Sequence, residues 1–393
     1  MYDVHSVRED FPVLKDVIYL DNAATTQTPV PAVKAMEEYF LSYAGNHGRG
    51  AHRLARETTN HYEDARETVA RFLGTDAKKT VFTRNATESI NIVSRGFPWE
   101  SDDHVIVTLV EHHSNLLPWM RLKNEGVDLT IVRPDATGIV DPGEIMSAVT
   151  DRTRLIAMNH ISNVFGSTQD VDTVIRLAHK EDVKVLVDGS QSAGHMPLNI
   201  ASMDPDFFAT PGHKGLLGPQ GTGVLYMKEP DMIEPVFVGG GMVRSVTDSG
   251  YETEPSPAKF EAGTPNMPGV IGLGRAVEYL NDTGVSDIEK HETLLARVAA
   301  SGLSEIEGVE VYGPKDRSSV VSFNVGGMNA HDVAMILDQT KAICVRSGYH
   351  CAIPGINLLD VDGTVRASFA LYNTEEEVEL LVDTVSSIAS MMA

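Results

Sequence analysis

The feature that most constrains the fold is an alternation of short apolar runs with helical stretches between about residues 79 and 228. The runs are rich in β-branched residues, as strands are, and helical stretches separate them. This rhythm predicts an α/β fold with a parallel sheet. The predicted strands are Thr80–Thr83, His104–Val110, Leu129–Val132, Leu155–His160, Val183–Asp188, Asp206–Thr210 and Val224–Met227.

Changes of pattern along the chain predict the domain organisation. The strands read as unbroken apolar runs, which indicates helices on both faces of the sheet. After about residue 265, two long helical stretches, three strand-like runs and a final helix predict a smaller α+β domain. We therefore predict a segment at 1–30 that packs with the small domain, a large domain at 31–265 and a small C-terminal domain at 266–393.

Composition narrows the classes of function. The chain has 393 residues and a formal net charge of −23, which argues against binding to nucleic acid or to an anionic membrane surface. No apolar run approaches the ~20 residues of a membrane-spanning helix, and the N-terminus lacks a secretion pattern. We therefore expect a soluble, cytoplasmic protein. Two cysteines, Cys344 and Cys351, are too few for a disulfide framework.

Two residues at the ends of neighbouring strands suggest a cofactor. Asp188 ends one run, and Lys214 follows the next. In such folds, ligands bind beyond the carboxyl ends of the parallel strands. A lysine amine can form a Schiff base with an aldehyde, and a carboxylate can keep a pyridine nitrogen protonated, which together describe pyridoxal phosphate chemistry. The alternatives are a helix cap for Asp188 and a solvated cation for Lys214.

Two further turns at the same edge supply candidate ligands. The turn at Thr83–Glu88 opens a helix whose free N–H groups would hold a phosphate, although a plain helix cap is the alternative. His112 and His113 follow the strand that ends at Val110, where an imidazole can lie against a cofactor ring or move a proton. A zinc site is the competing interpretation, but the sequence offers no third ligand nearby.

The C-terminal part contributes a thiol and an arginine. Cys351 lies in a stretch whose glycines and proline predict an exposed, mobile loop, and the neighbouring Arg346 and His350 would favour its nucleophilic thiolate. Cys344 lies in an apolar run and is expected to be buried and inert. Arg366 lies in another apolar run, where its planar guanidinium suits an amino-acid carboxylate; a structural ion pair is the alternative.

Ordered motifs run along nearly the whole chain: Tyr19–Thr26, Arg49–His52, Glu111–Asn115, His160–Asn163, Val187–Gln191, Gly212–Lys214, Phe260–Asn266 and Arg366–Ser368. Together they resemble the class V aminotransferases, a family of pyridoxal-phosphate enzymes, and most closely its cysteine desulfurases of the SUF (group II) type. The resemblance implies a PLP-dependent transferase of fold type I, with a mostly parallel seven-stranded sheet and a small α+β C-terminal domain. It also implies a homodimer.

The resemblance implies a role for each candidate residue. Lys214 would bind pyridoxal phosphate as a Schiff base, Asp188 would hold the ring nitrogen and His112 would stack on the ring. Cys351 would attack the sulfur of a cysteine whose carboxylate is bound by Arg366. The other implied contacts are Gln191 to the ring oxygen, Ala86, Thr87 and His213 to the phosphate, Thr264 to the phosphate across the dimer interface, Asn163 to both cofactor and substrate, and Ala23 to the substrate.

The predicted function is a cysteine desulfurase that converts L-cysteine to L-alanine and passes sulfur on from a persulfide at Cys351, for iron–sulfur clusters or related biosynthesis. The alternatives are a selenocysteine lyase, a cysteine sulfinate desulfinase, or a catalytically silent sulfur-transfer partner. The stretch from Cys351 to Arg366 resembles the short loop of group II enzymes, which implies a dedicated sulfur acceptor. Pro211 replaces an expected hydroxyl residue, so one phosphate hydrogen bond is either lost or supplied by Thr210, and Tyr349 replaces a common histidine.

Overall fold

The computed structural model describes residues 2–48 and 50–391, so Arg49 of the second motif lies outside the described residues. Its strands, in chain order, are β1 (Ile18–Tyr19), β2 (Thr80–Thr83), β3 (His104–Thr108), β4 (Asp128–Val132), β5 (Thr153–Asn159), β6 (Lys184–Asp188), β7 (Phe207–Pro211), β8 (Gly223–Met227), β9 (Val243–Thr247), β10 (Gly250–Thr253), β11 (Val309–Tyr312), β12 (Val320–Val325), β13 (Ile343–Cys344), β14 (Arg346–Gly348) and β15 (Thr364–Ser368).

The helices lie between these strands and after the last of them. They are α1 (Val4–Arg8), α2 (Val30–Glu38), α3 (Arg53–Phe72), α4 (Ala86–Gly96), α5 (Leu117–Leu122), α6 (Pro142–Ser147), α7 (Val171–Ala178), α8 (Ile200–Met203), α9 (Met267–Thr283), α10 (Val285–Ser304), α11 (Ala330–Lys341), α12 (Ile353–Asn357) and α13 (Glu375–Ser390). Within the described residues, none of them has both the length and the apolarity needed to cross a bilayer.

The main sheet has seven strands in the order β2-β8-β7-β6-β5-β3-β4. All neighbouring pairs are parallel except those of β8, which runs antiparallel to both β2 and β7. The prediction of an α/β fold with a mostly parallel sheet is therefore confirmed. Because β2, β3, β5, β6 and β7 point the same way, the residues that follow them meet at one edge of the sheet.

Both faces of this sheet are buried. Side chains alternate along each strand, so Ile156 lies in the core on one face and its neighbour Leu155 in the core on the other. The first core includes residues of α2, α3 and α9, and the second includes residues of α4 and α5. This arrangement explains why the strands read as unbroken apolar runs.

A second, antiparallel sheet has the order β11-β12-β15-β14. Residues of α10, α11 and α13 form a separate core with it. The last helix starts at a capping box, in which the Thr374 hydroxyl accepts from the Glu377 N–H and the Glu377 carboxylate accepts from the Thr374 N–H. That spacing stabilises the first turn of the helix.

Packing at two places differs from the predicted domain boundaries. Helix α9 starts just after residue 265, but its apolar face lies in the core of the large sheet, where it contacts α2 and α3. The N-terminal segment contacts both cores: Phe11 and Leu14 belong to the larger one, and Leu20 to the smaller one. Strand β1 pairs with β13, which ties this segment to the small sheet.

Candidate active site

A cavity of about 160 Å³ opens at the carboxyl edge of the large sheet. Its walls come from residues that follow β2, β3, β5, β6 and β7, and from two arginines of the antiparallel sheet, Arg346 and Arg366. Most of the residues predicted from the sequence line it: Ala23, Ala86, Thr87, His112, Asn163, Asp188, His213, Lys214 and Arg366.

Lys214 lies in this cavity because the chain turns sharply after β7. Its side chain is half-buried, and within residues 2–48 and 50–391 its amine has no hydrogen bond or ion pair. Burial lowers the pKa of Lys214 to about 8, although the nearby Asp188 opposes this shift. The amine is therefore both unpartnered and easier to deprotonate than an ordinary lysine, as a nucleophile requires.

Asp188 is the last residue of β6 and is buried. Its Oδ1 accepts from the Ser190 N–H at 2.9 Å. Burial raises the pKa of Asp188, while Lys214 and the Ser190 contact oppose the shift. A buried carboxylate at a cavity wall is a partner for a positively charged or N–H-bearing group, and a protonated pyridine nitrogen is such a group.

The start of α4 forms another wall. Asn85 caps this helix by accepting from the Glu88 N–H at 2.9 Å. The N–H groups of Ala86 and Thr87 come before the first intrahelical bond, and neither donates to another group in the described residues. Free N–H groups at a helix start, next to the amine of Lys214, fit a phosphate.

His112 lines the cavity on the turn after β3. Its Nδ1 accepts from the Ser114 N–H at 3.1 Å, so the proton of the neutral ring is on Nε2. Burial, followed by the charge of Lys214, lowers the pKa of His112 to about 3. His112 is therefore neutral at physiological pH, and its ring can lie flat against another ring without adding charge.

Arg366 is almost fully buried and is held by two bonds. Its Nη1 donates to the Asn163 carbonyl and its Nη2 to Asp21 Oδ1, each at 3.0 Å. The structural ion pair considered in the sequence is therefore present, with Asp21. Arg366 Nε still has no partner in the described residues, and the guanidinium lines the cavity. Burial lowers the pKa of Arg366 to about 10, so it stays cationic near pH 7.

Cys351 is not among the residues that line the cavity, but it contacts one of them: Arg346 Nη2 donates to Cys351 Sγ at 3.4 Å. The thiol is half-buried rather than exposed as predicted, and backbone groups on both sides of it form hydrogen bonds. The Cys351 carbonyl accepts from the His113 N–H at 2.7 Å, and the His350 carbonyl accepts from the Asn163 amide at 2.9 Å. These bonds hold Cys351 in a left-handed backbone conformation, with φ of 57°.

The other cysteine also differs from its prediction. Cys344 is half-buried rather than buried, since β13 is only two residues long and pairs with β1 alone. Burial raises the pKa of the Cys344 thiol, with Asp338 and Asp21 adding to the shift. This thiol is not among the residues that line the cavity.

Three predicted contacts lie outside the cavity wall of this chain. Gln191 is buried behind the wall, where its amide donates to the Ala23 carbonyl at 2.9 Å. Thr264 is exposed and lines a different cavity, of about 600 Å³. The Thr210 hydroxyl donates to the carbonyls of Gly189 and Pro211, each at 3.4 Å, and Thr210 does not line the cavity. It is therefore not placed to supply the phosphate contact for which Pro211 has no hydroxyl.

Sequence reasoning missed two residues as site components. Arg346 was noted only as a neighbour of Cys351, yet it lines the cavity and contacts the thiol. Asp21 lay within a motif without an assigned role, and it forms the ion pair with Arg366. Asp21 meets Arg366 because the N-terminal segment packs against β15, where Asp21 forms a β-bridge with Ser368. No local sequence pattern indicates this contact.

Comparison with known proteins agrees with this geometry. The family model described as Aminotransferase class-V matches residues 18–381. The chain belongs to this family. Among class V relatives, a probable cysteine desulfurase of Methanothermobacter thermautotrophicus is 48% identical over 98% of both chains. A probable cysteine desulfurase of Pyrococcus abyssi is 40% identical, again over 98% of both chains.

Solved structures of cysteine desulfurases superpose closely on this chain. The apo cysteine desulfurase of Thermococcus onnurineus NA1 has a TM-score of 0.96 and 42% identity, and the match covers 100% of this chain and 99% of that one. The cysteine desulfurase CsdA of Escherichia coli, with an S-sulfonic acid, has a TM-score of 0.93 and 37% identity over 100% and 99% of the two chains. The fold prediction is thus confirmed along the whole chain.

Proposed function

We propose that this chain is a pyridoxal-phosphate-dependent cysteine desulfurase, which converts L-cysteine to L-alanine and leaves the sulfur as a persulfide on Cys351. One observation carries the proposal: Lys214 and Arg346 line the same cavity, and Arg346 contacts the Cys351 thiol. A nucleophilic amine and a thiol therefore serve one site. Full-length relatives named as cysteine desulfurases support this assignment.

Pyridoxal phosphate fits the donor set of the cavity. Lys214 offers an unpartnered amine, Asp188 a buried carboxylate, and Ala86 and Thr87 free N–H groups for a phosphate. When bound, the cofactor supplies an aldehyde for covalent capture and a protonated ring that accepts electrons from the bond being broken. We assign Lys214 to the aldehyde, Asp188 to the ring nitrogen and His112 to the ring face. The phosphate contacts are assigned to Ala86, Thr87 and His213, and the ring oxygen to Gln191.

Arg366 binds the substrate carboxylate. Its Nη1 and Nη2 are oriented by Asn163 and Asp21, Nε has no partner in the described residues, and the residue lines the cavity. A guanidinium with two of its nitrogens already fixed loses little freedom when it binds an anion. Asn163 and Ala23 form the adjoining wall. Together these contacts orient the α-carbon of cysteine toward Lys214.

Lys214 moves the proton at the α-carbon. An amine whose pKa burial lowers to about 8 can accept this proton and return it near neutral pH, which is the condition for efficient acid–base catalysis. His112 stays neutral beside it, because burial lowers the pKa of its ring to about 3. The charge of the site is therefore set by Lys214, Asp188 and the two arginines.

Cys351 takes the sulfur. As thiolate, its Sγ forms a bond to the substrate sulfur while the carbon–sulfur bond breaks, and the electron pair stays on the three-carbon fragment. That fragment gains a proton and leaves as alanine, so no outside oxidant or reductant is consumed. Arg346 donates to Cys351 Sγ and thereby holds the sulfur beside a residue of the cavity wall.

The assembly and the sulfur acceptor are part of the same proposal. We assign Thr264 to the phosphate of a second copy in a homodimer, which is consistent with its exposed position away from the Lys214 cavity of its own chain. A sulfur-acceptor protein or cluster scaffold would collect the persulfide sulfur for iron–sulfur clusters or related products. We expect the protein to act in the cytoplasm.

Replacement of Arg366 by lysine is expected to raise KM for L-cysteine by about 10- to 100-fold, with a smaller fall in kcat, because an ammonium cannot keep the contacts of Nη1 and Nη2 while binding a carboxylate. Steady-state kinetics on L-cysteine measure the split. The matched control is Arg317→Lys, since Arg317 is also buried but donates to the Tyr312 carbonyl away from the cavity. An unchanged KM in Arg366→Lys would contradict the assignment.

The pKa of Lys214 predicts how cofactor capture depends on pH. The lowered pKa of about 8 means that the amine is mostly protonated below pH 8 and mostly neutral above it. Since only the neutral amine attacks an aldehyde, capture of pyridoxal phosphate by the cofactor-free protein should accelerate about tenfold from pH 7 to pH 9 and then level off. Stopped-flow absorbance measures the rate. A rate that keeps rising to pH 10.5 would indicate an ordinary lysine.

Product analysis tests the proposed function as a whole. The purified chain, loaded with pyridoxal phosphate, is incubated with L-cysteine and a thiol reductant, and alanine and sulfide are both quantified. We expect equal amounts of the two products over many turnovers. Formation of pyruvate and ammonia in place of alanine, or no consumption of cysteine by a cofactor-loaded protein, would refute the proposal.

A further inference from the structure

Glu111 is a fully buried carboxylate that forms no salt bridge within the described residues. Its partners are instead three polar side chains and one backbone amide. Oε1 accepts from the Thr108 hydroxyl at 2.6 Å, from the Asn159 N–H at 2.9 Å and from the Asn159 side-chain amide at 3.1 Å. Oε2 accepts from the Asn115 amide at 2.7 Å. Every contact thus delivers a hydrogen to the carboxylate.

These contacts surround the residue that lies against the proposed cofactor ring. His112 directly follows Glu111, and Asn115 closes the same turn by donating its N–H to the His112 carbonyl at 2.8 Å. On the opposite side, Asn159 is the last residue of β5 and pairs in register with Asp188, the last residue of β6. The Glu111 carboxylate therefore connects the His112 turn to the strand ends that carry Asp188.

We propose that Glu111 is a positioning residue, which fixes the His112 ring relative to Asp188 by clamping the turn after β3 to the end of β5. This inference rests on the proposed function, since only there is His112 assigned to the cofactor ring. Glu111 itself is not among the residues that line the cavity. Its effect on the reaction passes through His112.

The chemistry of the four donors explains why this position needs a carboxylate. Two oxygens can accept all four hydrogens, whereas the amide of a glutamine would place its own N–H₂ against one of the donor groups. Burial raises the pKa of Glu111 to about 8, while its bonds to Thr108, Asn115 and Asn159 oppose the shift by stabilising the charged form. The carboxylate therefore predominates above about pH 8, and the kinetic comparison of the variants is made above that pH. Hydrogen bonds to a charged acceptor are also stronger than those to a neutral one.

The test uses a substitution and its compensating partner. Glu111→Gln should lower kcat on L-cysteine by about 10- to 100-fold with little change in KM, because the His112 ring is displaced. In the double variant E111Q/N115D, one oxygen of the carboxylate at position 115 accepts from the amide introduced at position 111. The other oxygen accepts from Trp119 Nε1, as Asn115 Oδ1 does in the parent protein at 3.1 Å. We expect the double variant to recover to within about threefold of the parent kcat.

Two further readouts separate positioning from general stability. In the His112→Ala background, Glu111→Gln should lower kcat by less than about twofold, because the residue through which Glu111 acts is no longer present. Hydrogen exchange of the Asn159 N–H, which reports the clamp without any turnover, should be faster in Glu111→Gln and restored in E111Q/N115D. If Glu111→Gln folds poorly, Thr108→Val removes a single donor at nearly constant volume and should lower kcat several-fold.

The inference is overturned if the double variant stays as impaired as Glu111→Gln, or if the loss is equally large without His112. It is also overturned if Asn159 exchange is unchanged by Glu111→Gln. The proposed function fails by a different result, namely that the parent protein releases no alanine from L-cysteine. In that case hydrogen exchange of the Asn159 N–H still tests the contacts of Glu111, and retention of pyridoxal phosphate during dialysis still tests the role of His112.

Discussion

Replacement of Cys351 by alanine should lower alanine release from L-cysteine by at least about 100-fold while leaving the bound cofactor and its visible absorbance unchanged. Without this thiol, nothing placed by Arg346 accepts the substrate sulfur, so the carbon–sulfur bond has no nucleophile to drive its cleavage. Quantification of alanine by amino-acid analysis measures the loss, and the absorbance spectrum confirms that the site remains loaded.

The second cysteine provides the matched control. Cys344→Ala changes the same residue type seven positions earlier in the chain, at a thiol whose hydrogen bond in the described residues goes to the Ala342 carbonyl rather than to Arg346, and it should keep near-parental activity. Selenocysteine separates the proposed function from its nearest alternative, because a selenocysteine lyase has less need of the thiol. Full alanine release from selenocysteine by Cys351→Ala, at a rate above that of the parent on L-cysteine, would identify a lyase and contradict our assignment.

Replacement of Lys214 by alanine is expected to reduce turnover by about a thousandfold or more. The substitution removes the covalent attachment of the cofactor and the group that moves the α-proton, so both functions are lost at once. Dialysis should also remove pyridoxal phosphate from Lys214→Ala much faster than from the parent. Single-turnover kinetics with L-cysteine and the absorbance after dialysis measure the two effects.

Lys228→Ala serves as the control for loss of a lysine. Lys228 follows β8 and forms a partly exposed ion pair with Asp204 at 2.8 Å, a type of surface contact that contributes at most about 1 kcal/mol to stability. Its replacement should leave turnover and cofactor retention unchanged. Turnover by Lys214→Ala within about tenfold of the parent would mean that another group carries the chemistry and would contradict the mechanism.

Most of the fold followed from local sequence signals. The strands after residue 79 could be predicted because burial on both faces requires apolar, β-branched runs, and the final helix because Thr374 and Glu377 form its capping box. The antiparallel direction of β8 carried no such signal, since a strand buried on both faces has the same composition in either direction. The packing of α9 in the larger core likewise depends on tertiary contacts that no local pattern encodes.

The predicted site residues fall into two groups for a physical reason. Asp188 and Lys214 could be inferred because strand ends meet at one edge of a parallel sheet. Asp21 meets Arg366 through its bridge to Ser368, and Arg346 is placed at the cavity by the pairing of β14 with β15; both positions depend on tertiary contacts. The partial burial of Cys351 carries no local signal, because it depends on hydrogen bonds from His113 and Asn163, which come from other parts of the chain.

The most direct test of the account is the location of the sulfur after one exposure to L-cysteine. The cofactor-loaded protein is treated with L-cysteine without reductant, alkylated, digested and analysed by mass spectrometry. We expect one added sulfur atom on the peptide that contains Cys351, accompanied by an equal amount of alanine, and none on the peptide that contains Cys344. Alanine formed with no sulfur on Cys351, or sulfur found on Cys344 instead, would contradict the account.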